Sequence, residues 1–253
     1  MATITDDLGC EQPYRGVRRR IVSLVPSLTE SVATVDRHAL VGVTDWCTHP
    51  ADLEVARVRG TKNPDIAKII ALQPELVLAN QEENRRIDVE RLRAAGIPVW
   101  VTVIENVPQA LQSLRRMFGV ALGWDTPAWL DDADAEWRRP GPQHVVRAAV
   151  PIWRDPWMVV GPGTFTGDVL ARLGVSNVYA DALDRYPHVD VDDIRARRPD
   201  VIVLPDEPYR FTAADGPEAF PGMRCALVDG RSLTWYGPSL VTAGAFLTSA
   251  LGG

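Results

Sequence analysis

Two segments of this chain, about half a chain length apart, repeat one pattern. Asp65–Asn80 reads DIAKIIALQPELVLAN, and Val191–Asp206 reads VDDIRARRPDVIVLPD. In each, apolar residues at helical spacing precede a proline, and an acidic residue after the proline leads into an apolar run rich in β-branched residues. Proline ends a helix because it lacks the N–H group and its ring clashes with the preceding turn. Since Pro74 and Pro199 are 125 residues apart, the repeat predicts two similar α/β lobes with a cleft between them.

The rest of the sequence alternates short apolar strands with helical segments, a pattern typical of parallel sheets with right-handed crossovers. Besides the strands of the two repeats, the predicted strands are Ile21–Val25, Leu40–Val43, Val99–Val103, Val145–Ile152, Met158–Val160 and Ala226–Val228. Helical spacing is clearest from Val107 to Leu122, and Ser27 with Glu30 has the spacing of an N-terminal capping box. We therefore predict an α/β fold with two Rossmann-like lobes of parallel sheet.

The best boundary between the lobes is Pro140-Gly141-Pro142, which no helix or strand crosses easily. Before it, Thr126-Pro127 has the form of a helix start and opens a segment that runs to about Arg139. The predicted organisation is an N-terminal tail at residues 1–19, a first lobe at 20–122, a linking helix at 123–142 and a second lobe at 143–253.

Composition limits the classes of function. The net charge of −6 argues against a dedicated nucleic-acid binder, which usually carries a basic face. Three cysteines at scattered spacings form no disulfide framework, which fits a reducing compartment. The stretch before Cys10 resembles the end of a lipoprotein signal, but Met1–Asp7 is short and acidic where a secretory signal is basic and then apolar. No stretch has the length and apolarity of a membrane span. On these grounds we expect a cytoplasmic protein.

Several longer motifs resemble a known family. In the first half they are IVSLVPSLTESV, VGVTDWCTHP and GTKNPDIAKIIALQPELVLA. In the second half they are WRDPWMVVGPGTFTGDVLARLGVSNVY, DVDDIRARRPDVIVLPD and a GPS segment before the last helix. In order and spacing, from Arg20 to Leu251, the chain resembles the helical-backbone metal receptors. These periplasmic-binding-protein-like molecules are the solute-binding proteins of class III ABC importers, and the cobalamin-binding subgroup is the most similar by motif.

The resemblance implies two α/β lobes joined by one backbone helix, with a ligand in the cleft between the lobes. Open parallel sheets present ligand sites at the carboxyl ends of their strands, so the loops that follow the strands supply the candidate residues. Trp46 lies where the cobalamin binders have an aromatic residue that packs on the corrin. The candidate ligand-binding residues are Pro26, Ser27, Trp46, Cys47, Asn80, Gln81, Glu82, Trp153, Trp157, Tyr209, Trp235 and Tyr236.

Tryptophan is abundant, with eight residues in the chain, and flat indole faces suit a large planar or macrocyclic ligand. We expect Trp46, Trp153, Trp157 and Trp235 to face the ligand, and Trp100, Trp124, Trp129 and Trp137 to pack helices and strands. His49 is the candidate metal ligand, with Cys47 beside it, although a single Cys-x-His is a weak signal because zinc sites usually have three or four protein ligands. The other interpretation of Cys47 is a small buried apolar residue.

The chain departs from the family at two positions that matter for transport. The resemblance implies that each lobe carries a carboxylate that engages the membrane subunits of the importer, and the first-lobe position is Ala67 in this chain. The family also has an arginine in its GPR segment, and this chain has Ser239 at that position. Together with the expected location, these departures suggest a non-exported carrier or sensor of a corrinoid, haem or iron chelate. An ABC permease remains a candidate partner, and we expect neither nucleic-acid binding nor membrane insertion.

Signatures of catalysis are missing from the sequence: there is no GxSxG elbow, P-loop or HExxH motif. We therefore predict a binding protein and no enzyme. The alternative is an enzyme or enzyme accessory of cofactor or natural-product metabolism on the same scaffold, with Asp45, His49, Glu82 and Glu207 converging in the cleft. A third interpretation is a scaffold whose cleft has closed and that acts through protein–protein contacts.

Overall fold

The structure is a computed structural model that describes residues 3–139 and 145–252. The predicted boundary at Pro140-Gly141-Pro142 lies outside these residues. The chain divides into two compact units. The first unit comprises Met1–Ile104, Pro108–Asp131 and Tyr236–Pro238, and the second comprises Glu105–Val107, Asp132–Trp235 and Ser239–Gly253.

Short strands and helices alternate along both units. The strands are β1 (Thr3–Thr5), β2 (Glu11–Pro13), β3 (Ile21–Ser23), β4 (Leu40–Val43), β5 (Ala56–Arg57), β6 (Arg59–Gly60), β7 (Asn63–Pro64), β8 (Leu76–Asn80), β9 (Val99–Thr102), β10 (Val146–Ala149), β11 (Pro151–Trp153), β12 (Met158–Val159), β13 (Val175–Asn177), β14 (Val201–Pro205) and β15 (Cys225–Val228). The α-helices are α1 (Pro26–Asp36), α2 (Ile66–Ala71), α3 (Arg86–Ala94), α4 (Val107–Arg116), α5 (Ala128–Trp137), α6 (Phe165–Arg172), α7 (Val191–Ala196), α8 (Gly230–Thr234) and α9 (Leu240–Leu251). Arg37–Ala39 and Pro217–Ala219 form 3-10 turns, and Met117–Leu122 forms a π-helix.

The first unit is built on a parallel five-stranded sheet in the order β5-β4-β3-β8-β9. All five residues of β8 are buried, as expected for a strand covered on both faces. Apolar side chains of β3, β8 and β9 pack with Ile69 of α2 and Leu92 of α3 into a core cluster. Two antiparallel pairs, β1 with β2 and β6 with β7, complete the unit.

The second unit contains a parallel four-stranded sheet in the order β13-β10-β14-β15. Its third strand, β14, is likewise buried along its whole length. The antiparallel pair β11 and β12 follows β10. The predicted α/β class with parallel sheets is confirmed in both units.

The repeat in the sequence corresponds to one supersecondary unit built twice. In each sheet the first strand lies between the second and the third, and the fourth is beside the third, if the short β5 is set aside. The third strands are β8 and β14, the strands of the two repeats. The helices α2 and α7, which precede these strands, are each capped by an aspartate, and the two aspartates are 125 residues apart. Asp65 accepts from the N–H group of Lys68 (3.0 Å), and Asp190 accepts from that of Asp193 (2.7 Å).

The left-handed residue before each proline is also repeated. Gln73 and Arg198 have φ angles of 48° and 50°. A residue that precedes proline is disfavoured in the right-handed helical region, so the chain leaves the helix at this point. The two copies therefore agree in backbone conformation as well as in sequence.

Two local predictions differ from the structure. Ser27 is no N-cap, because α1 already begins at Pro26 with Val25 as the cap residue and no side-chain cap bond. The first 19 residues contain the β1–β2 pair, whose turn places the Asp6 carboxylate 2.7 Å from the guanidinium of Arg93. No helix within residues 3–139 and 145–252 is long and apolar enough to cross a membrane.

Candidate functional site

The carboxyl edge of the first sheet collects the candidate residues of the first unit. Pro26 and Ser27 follow β3, Trp46 and Cys47 follow β4, and Gln81 and Glu82 follow β8, whose last residue is Asn80. Because the strands are parallel, these loops leave the sheet at one edge. The topology thus groups the candidate residues, and the side-chain contacts decide which of them present atoms to a ligand.

Trp46 presents its indole to solvent, with 65% of the residue exposed. Its loop is held by the N–H of Asp45, which donates to the carbonyl of Arg59 at 2.9 Å. A Cβ on Gly60 would lie 3.3 Å from Nε1 of Trp46, so the indole packs close to the backbone at Gly60. Trp46 is therefore an exposed aromatic face on a tethered loop.

Cys47 points into the interior of the first unit and is fully buried. Its sulfur lies 3.0 Å from Oγ1 of Thr29 and 3.1 Å from Oγ1 of Thr44. Burial raises the pKa of the Cys47 thiol, so the neutral form is favoured. The structure places this side chain among packing residues, in line with the alternative interpretation of a small buried side chain.

His49, the candidate metal ligand, has its Nδ1 atom 3.1 Å from Oγ1 of Thr48. Within the ranges that the structure describes, no group of three or more His, Cys, Asp or Glu side chains is placed to share a metal ion. Metal ligation by His49 stays a prediction from the sequence.

The loop after β8 is ordered by Asn80. The Asn80 side chain accepts from the N–H groups of Glu82 (2.8 Å) and Glu83 (3.3 Å) and donates to Oγ1 of Thr102 at 3.1 Å. Asn80 is buried, whereas Gln81 is exposed and Glu82 half-buried. Asn80 is thus a support for the loop, and Gln81 and Glu82 are the side chains that the loop presents.

Tyr236 belongs to the first unit although it lies near the end of the chain. Its buried hydroxyl donates to Oε1 of Glu83 at 2.7 Å. Burial, together with the Glu83 carboxylate, raises the pKa of Tyr236 well above its usual value, so the hydroxyl stays protonated. A Cβ on the next residue, Gly237, would lie 3.1 Å from the carbonyl oxygen of Ser27, so Tyr236 and Ser27 come together in this unit.

In the second unit three candidate residues lie on the antiparallel β11–β12 pair, which follows β10, and in the loop after the parallel strand β14. Trp153 ends β11, Trp157 lies between β11 and β12, and Tyr209 follows β14. Trp153 is 45% exposed and meets Tyr209 edge to face, with the ring centroids 5.7 Å apart and an interplanar angle of 77°. The structure therefore brings two candidate residues from different loops into contact.

Trp157 lies deeper, against the core cluster of the second unit. It stacks on Phe211, with centroids 5.9 Å apart and an interplanar angle of 5°, and meets Phe220 edge to face at 5.2 Å. Phe211 in turn lies 4.7 Å from Tyr209, so the five rings form a continuous aromatic cluster. Phe211 and Phe220 are absent from the sequence-based set, because no pattern in the sequence marks which loops would meet.

Trp235 is almost completely buried, and its Nε1 donates to Oε2 of Glu207 at 3.1 Å. A Cβ on Gly230 would lie 2.4 Å from Cγ of Glu207, so α8 approaches this side chain as closely as glycine permits. Burial raises the pKa of the Glu207 carboxyl, and the nearby Asp206 and Asp229 carboxylates add to the effect. The sequence places Glu207 in a loop but does not reveal this contact with Trp235 or the shielding of its carboxyl from water.

The two carboxyl edges thus present aromatic faces and a few polar groups. Among the predicted residues, Trp46 and Trp153 are exposed, Trp157 and Tyr209 are half-buried, and Cys47, Asn80, Trp235 and Tyr236 are inside. Exposed indoles with sparse polar neighbours are suited to holding a flat apolar ligand by stacking.

Comparison with known proteins gives consistent matches across most of the chain. No family model matches. The vitamin B12-binding proteins of Vibrio parahaemolyticus and Yersinia pestis are 23% and 25% identical over 193 and 199 residues, which are 72% and 73% of this chain and 69% of each relative. The solved periplasmic vitamin B12-binding protein of Vibrio cholerae covers 92% of this chain and 96% of its own, with a TM-score of 0.73 and 21% identity.

A periplasmic haem-binding protein from Roseiflexus also covers 92% of this chain and 97% of its own, with a TM-score of 0.78 and 23% identity. The predicted resemblance to the solute-binding proteins is confirmed. These relatives are named as binding proteins, which supports the prediction of a binder and gives no support to the enzyme alternative.

The predicted cytoplasmic location is wrong, because the solved structures similar to this solute-binding-protein-like chain are periplasmic. The prediction rested partly on unpaired cysteines. For Cys47 the structure shows why its free thiol carries little information about location: it is buried beside two threonines and shielded from an oxidising partner. The first residues of the chain are likewise uninformative about location.

Proposed function

We propose that this chain binds a metal chelate or corrinoid of the cobalamin, haem or ferric siderophore class, without catalysing a reaction on it. The observation that carries the proposal is the presence of an exposed indole in each unit: Trp46 in the loop after the parallel strand β4, and Trp153 on the β11–β12 pair that follows the parallel strand β10. Relatives named for binding vitamin B12 and haem share most of the chain's length. A macrocycle offers the flat apolar face that such indoles stack on.

The residues expected to contact the ligand fall into two groups. Trp46, Trp153 and Tyr209 would supply aromatic surface, and Gln81 and Glu82 would supply polar contacts to the periphery of the ligand. Pro26, Ser27 and Tyr236 would lie beneath the ligand and support the loops of the first unit. Cys47 and Asn80 would act by holding those loops in place, as their buried contacts suggest.

Tryptophan fluorescence titrations test the proposal. Cyanocobalamin, dicyanocobinamide, haemin and a ferric hydroxamate siderophore would each be added to the full chain at micromolar concentration. We expect quenching by at least one of them, and a weaker quench in Trp46→Ala and Trp153→Ala. Trp129→Phe is the matched control, since its indole Nε1 donates to Oγ1 of Thr34 at 3.1 Å in a packing contact. No saturable quenching by any probe would refute the proposal.

A permease of an ABC importer is the partner that this function would imply. Ala67, on the first turn of α2, occupies the position where the family resemblance expects a docking carboxylate. The experiment is delivery of the bound ligand to a reconstituted ABC permease, with Ala67→Glu as a gain-of-contact variant. Delivery by the wild-type chain supports the importer role, and transfer by neither protein contradicts it.

A further inference from the structure

Arg154 links the two loops that carry the aromatic residues of the second unit. It directly follows Trp153, and its Nη1 atom contacts Oδ1 of Asp215 and lies 2.6 Å from Oε1 of Glu218. Its guanidinium carbon also lies 5.2 Å from the centroid of the Trp157 ring. Only about a fifth of the Arg154 side chain is exposed, so these contacts are partly shielded from water.

Asp215 connects Arg154 to Tyr209. The Tyr209 hydroxyl donates to Oδ2 of Asp215 at 2.7 Å, so the carboxylate accepts from Arg154 on one oxygen and from Tyr209 on the other. The hydrogen bond from Tyr209 lowers the pKa of Asp215, and Arg154 adds to the effect, which keeps the carboxylate ionised. The orientation of the Tyr209 ring is thereby fixed at its hydroxyl end.

Tyr209 in turn supports the exposed indole. Its ring meets Trp153 edge to face with the ring centroids 5.7 Å apart, and it also packs on Phe211 with the centroids 4.7 Å apart. An indole on a short strand end has several rotamers, and a ring fixed beside it restricts them. A binding face that is already ordered avoids the entropic cost of ordering on association.

We propose that Arg154 is a positioning residue for ligand binding, acting through Asp215 and Tyr209 to hold Trp153 in the orientation that stacks on the ligand. The inference rests on the proposed function. Arg154 would not contact the ligand; its effect would be to keep the exposed face of Trp153 preorganised. The expected signature of its loss is faster dissociation at a nearly unchanged association rate.

The variants are Arg154→Gln, Arg154→Lys and Tyr209→Phe, with cyanocobalamin and haemin as probes in stopped-flow and equilibrium titrations. For the better probe we expect Arg154→Gln to raise Kd about tenfold. Arg154→Lys should lose less, because it keeps the charge but not the planar fork. Tyr209→Phe keeps the ring and removes only the hydroxyl, so a loss in this well-folded variant would report the link itself. Arg210→Gln, an exposed change of equal charge on the same loop, is the control.

A double-mutant cycle separates positioning from a merely structural role. If Arg154 acts through Trp153, Arg154→Gln should have little further effect on Kd in the Trp153→Ala background. If the wild-type chain binds a probe and the two substitutions raise Kd additively, this inference is overturned and the proposed function is left intact. A wild-type chain that binds none of the probes would overturn both. Urea midpoints measured in parallel show whether loss of affinity merely follows loss of folded protein.

Discussion

Arg20 and Arg147 make the same contact in the two units. The Arg20 guanidinium donates to the carbonyl oxygens of Leu72 (2.6 Å) and Gln73 (3.3 Å), which end the helix before Pro74. That of Arg147 donates to the corresponding carbonyls of Arg197 (2.8 Å) and Arg198 (3.1 Å). Each arginine thus satisfies helix-end carbonyls that have no partner inside the helix.

An acidic residue completes the arrangement in each unit. Oε2 of Glu75 accepts from the N–H of Arg20 at 3.1 Å, and Oδ2 of Asp200 accepts from the N–H of Arg147 at 2.8 Å. The backbone N–H groups of these two acidic residues donate to the carbonyls of the same arginines, at 2.8 Å in both units. The repeat therefore ties the first and third strands of each sheet together at their amino ends.

Removing one of these arginines should weaken one unit. Arg147→Met leaves two helix-end carbonyls to solvent, and we expect a loss of about 1 kcal/mol in the free energy of unfolding, because the contacts are exposed. Urea unfolding followed by circular dichroism measures it. Arg86→Gln breaks an exposed ion pair on α3 and is the control. Equal small effects of both substitutions would contradict a special role for Arg147.

The left-handed backbone at Gln73 makes a second prediction. At its φ of 48°, a β-branched side chain is strongly disfavoured and glycine is not. Gln73→Val should lower the free energy of unfolding by about 1–2 kcal/mol, and Gln73→Gly should leave it unchanged or raise it. Thermal unfolding of the two variants and of wild type measures these changes in stability. Because the two variants change the same side chain, an equal loss in both would refute the backbone explanation.

The Tyr236 hydroxyl predicts a third outcome. Tyr236→Phe removes the buried hydroxyl that donates to the Glu83 carboxylate, so we expect a loss of about 1–3 kcal/mol in the free energy of unfolding. Tyr14→Phe, at a largely exposed position, should have no measurable effect. Differential scanning calorimetry compares the two. A neutral Tyr236→Phe would contradict a stabilising role for this hydrogen bond.

Glu207 predicts a pH dependence of stability. Burial raises the pKa of its carboxyl above 4.5, the value for an exposed glutamic acid. The folded state therefore binds this proton more tightly than the unfolded state does. Protonation of Glu207 contributes its full stabilisation of the folded state below pH 4.5. That contribution is lost as the pH rises through the raised pKa of the folded state.

The corresponding variant is Glu207→Gln, which keeps an acceptor for the Trp235 indole without the charge. Its stability relative to wild type should rise with pH from about 4.5 upward and be flat below. Urea unfolding at a series of pH values measures the difference. Glu54→Gln removes an equal charge from the exposed surface and controls for net charge. A difference that does not vary with pH would contradict burial of the Glu207 carboxyl.

Thiol chemistry should distinguish the cysteines. Cys47 is buried and its thiol pKa is raised, whereas Cys10 is half-buried. The thiolate is the reactive form, so we expect iodoacetamide to modify Cys10 in the folded protein and Cys47 only after unfolding. Mass spectrometry of tryptic peptides measures both sites. Early labelling of Cys47 would place its thiol at the surface and revive the prediction that it contacts a ligand.

The sequence predicts the sheets well, because β8 and β14 carry continuous apolar runs with clear helix stops before them. The β1–β2 pair is missed, since strands of three residues show no periodicity. The site is predicted only as a set of loops. Which side chains are exposed depends on contacts such as that between Glu83 and Tyr236, 153 residues apart, and no local pattern encodes such a contact.

The position of Tyr236–Pro238 limits where the chain could be divided into fragments that each contain one complete unit. These three residues complete the first unit, yet the chain on both sides of them belongs to the second. A fragment that stops before Tyr236 would therefore lack the hydroxyl that donates to Glu83. A fragment that starts after Asp131 would contain three residues that belong to the first unit. No single cut yields two intact units, so synthesis of the first unit is finished only after most of the second, up to Trp235, has been made.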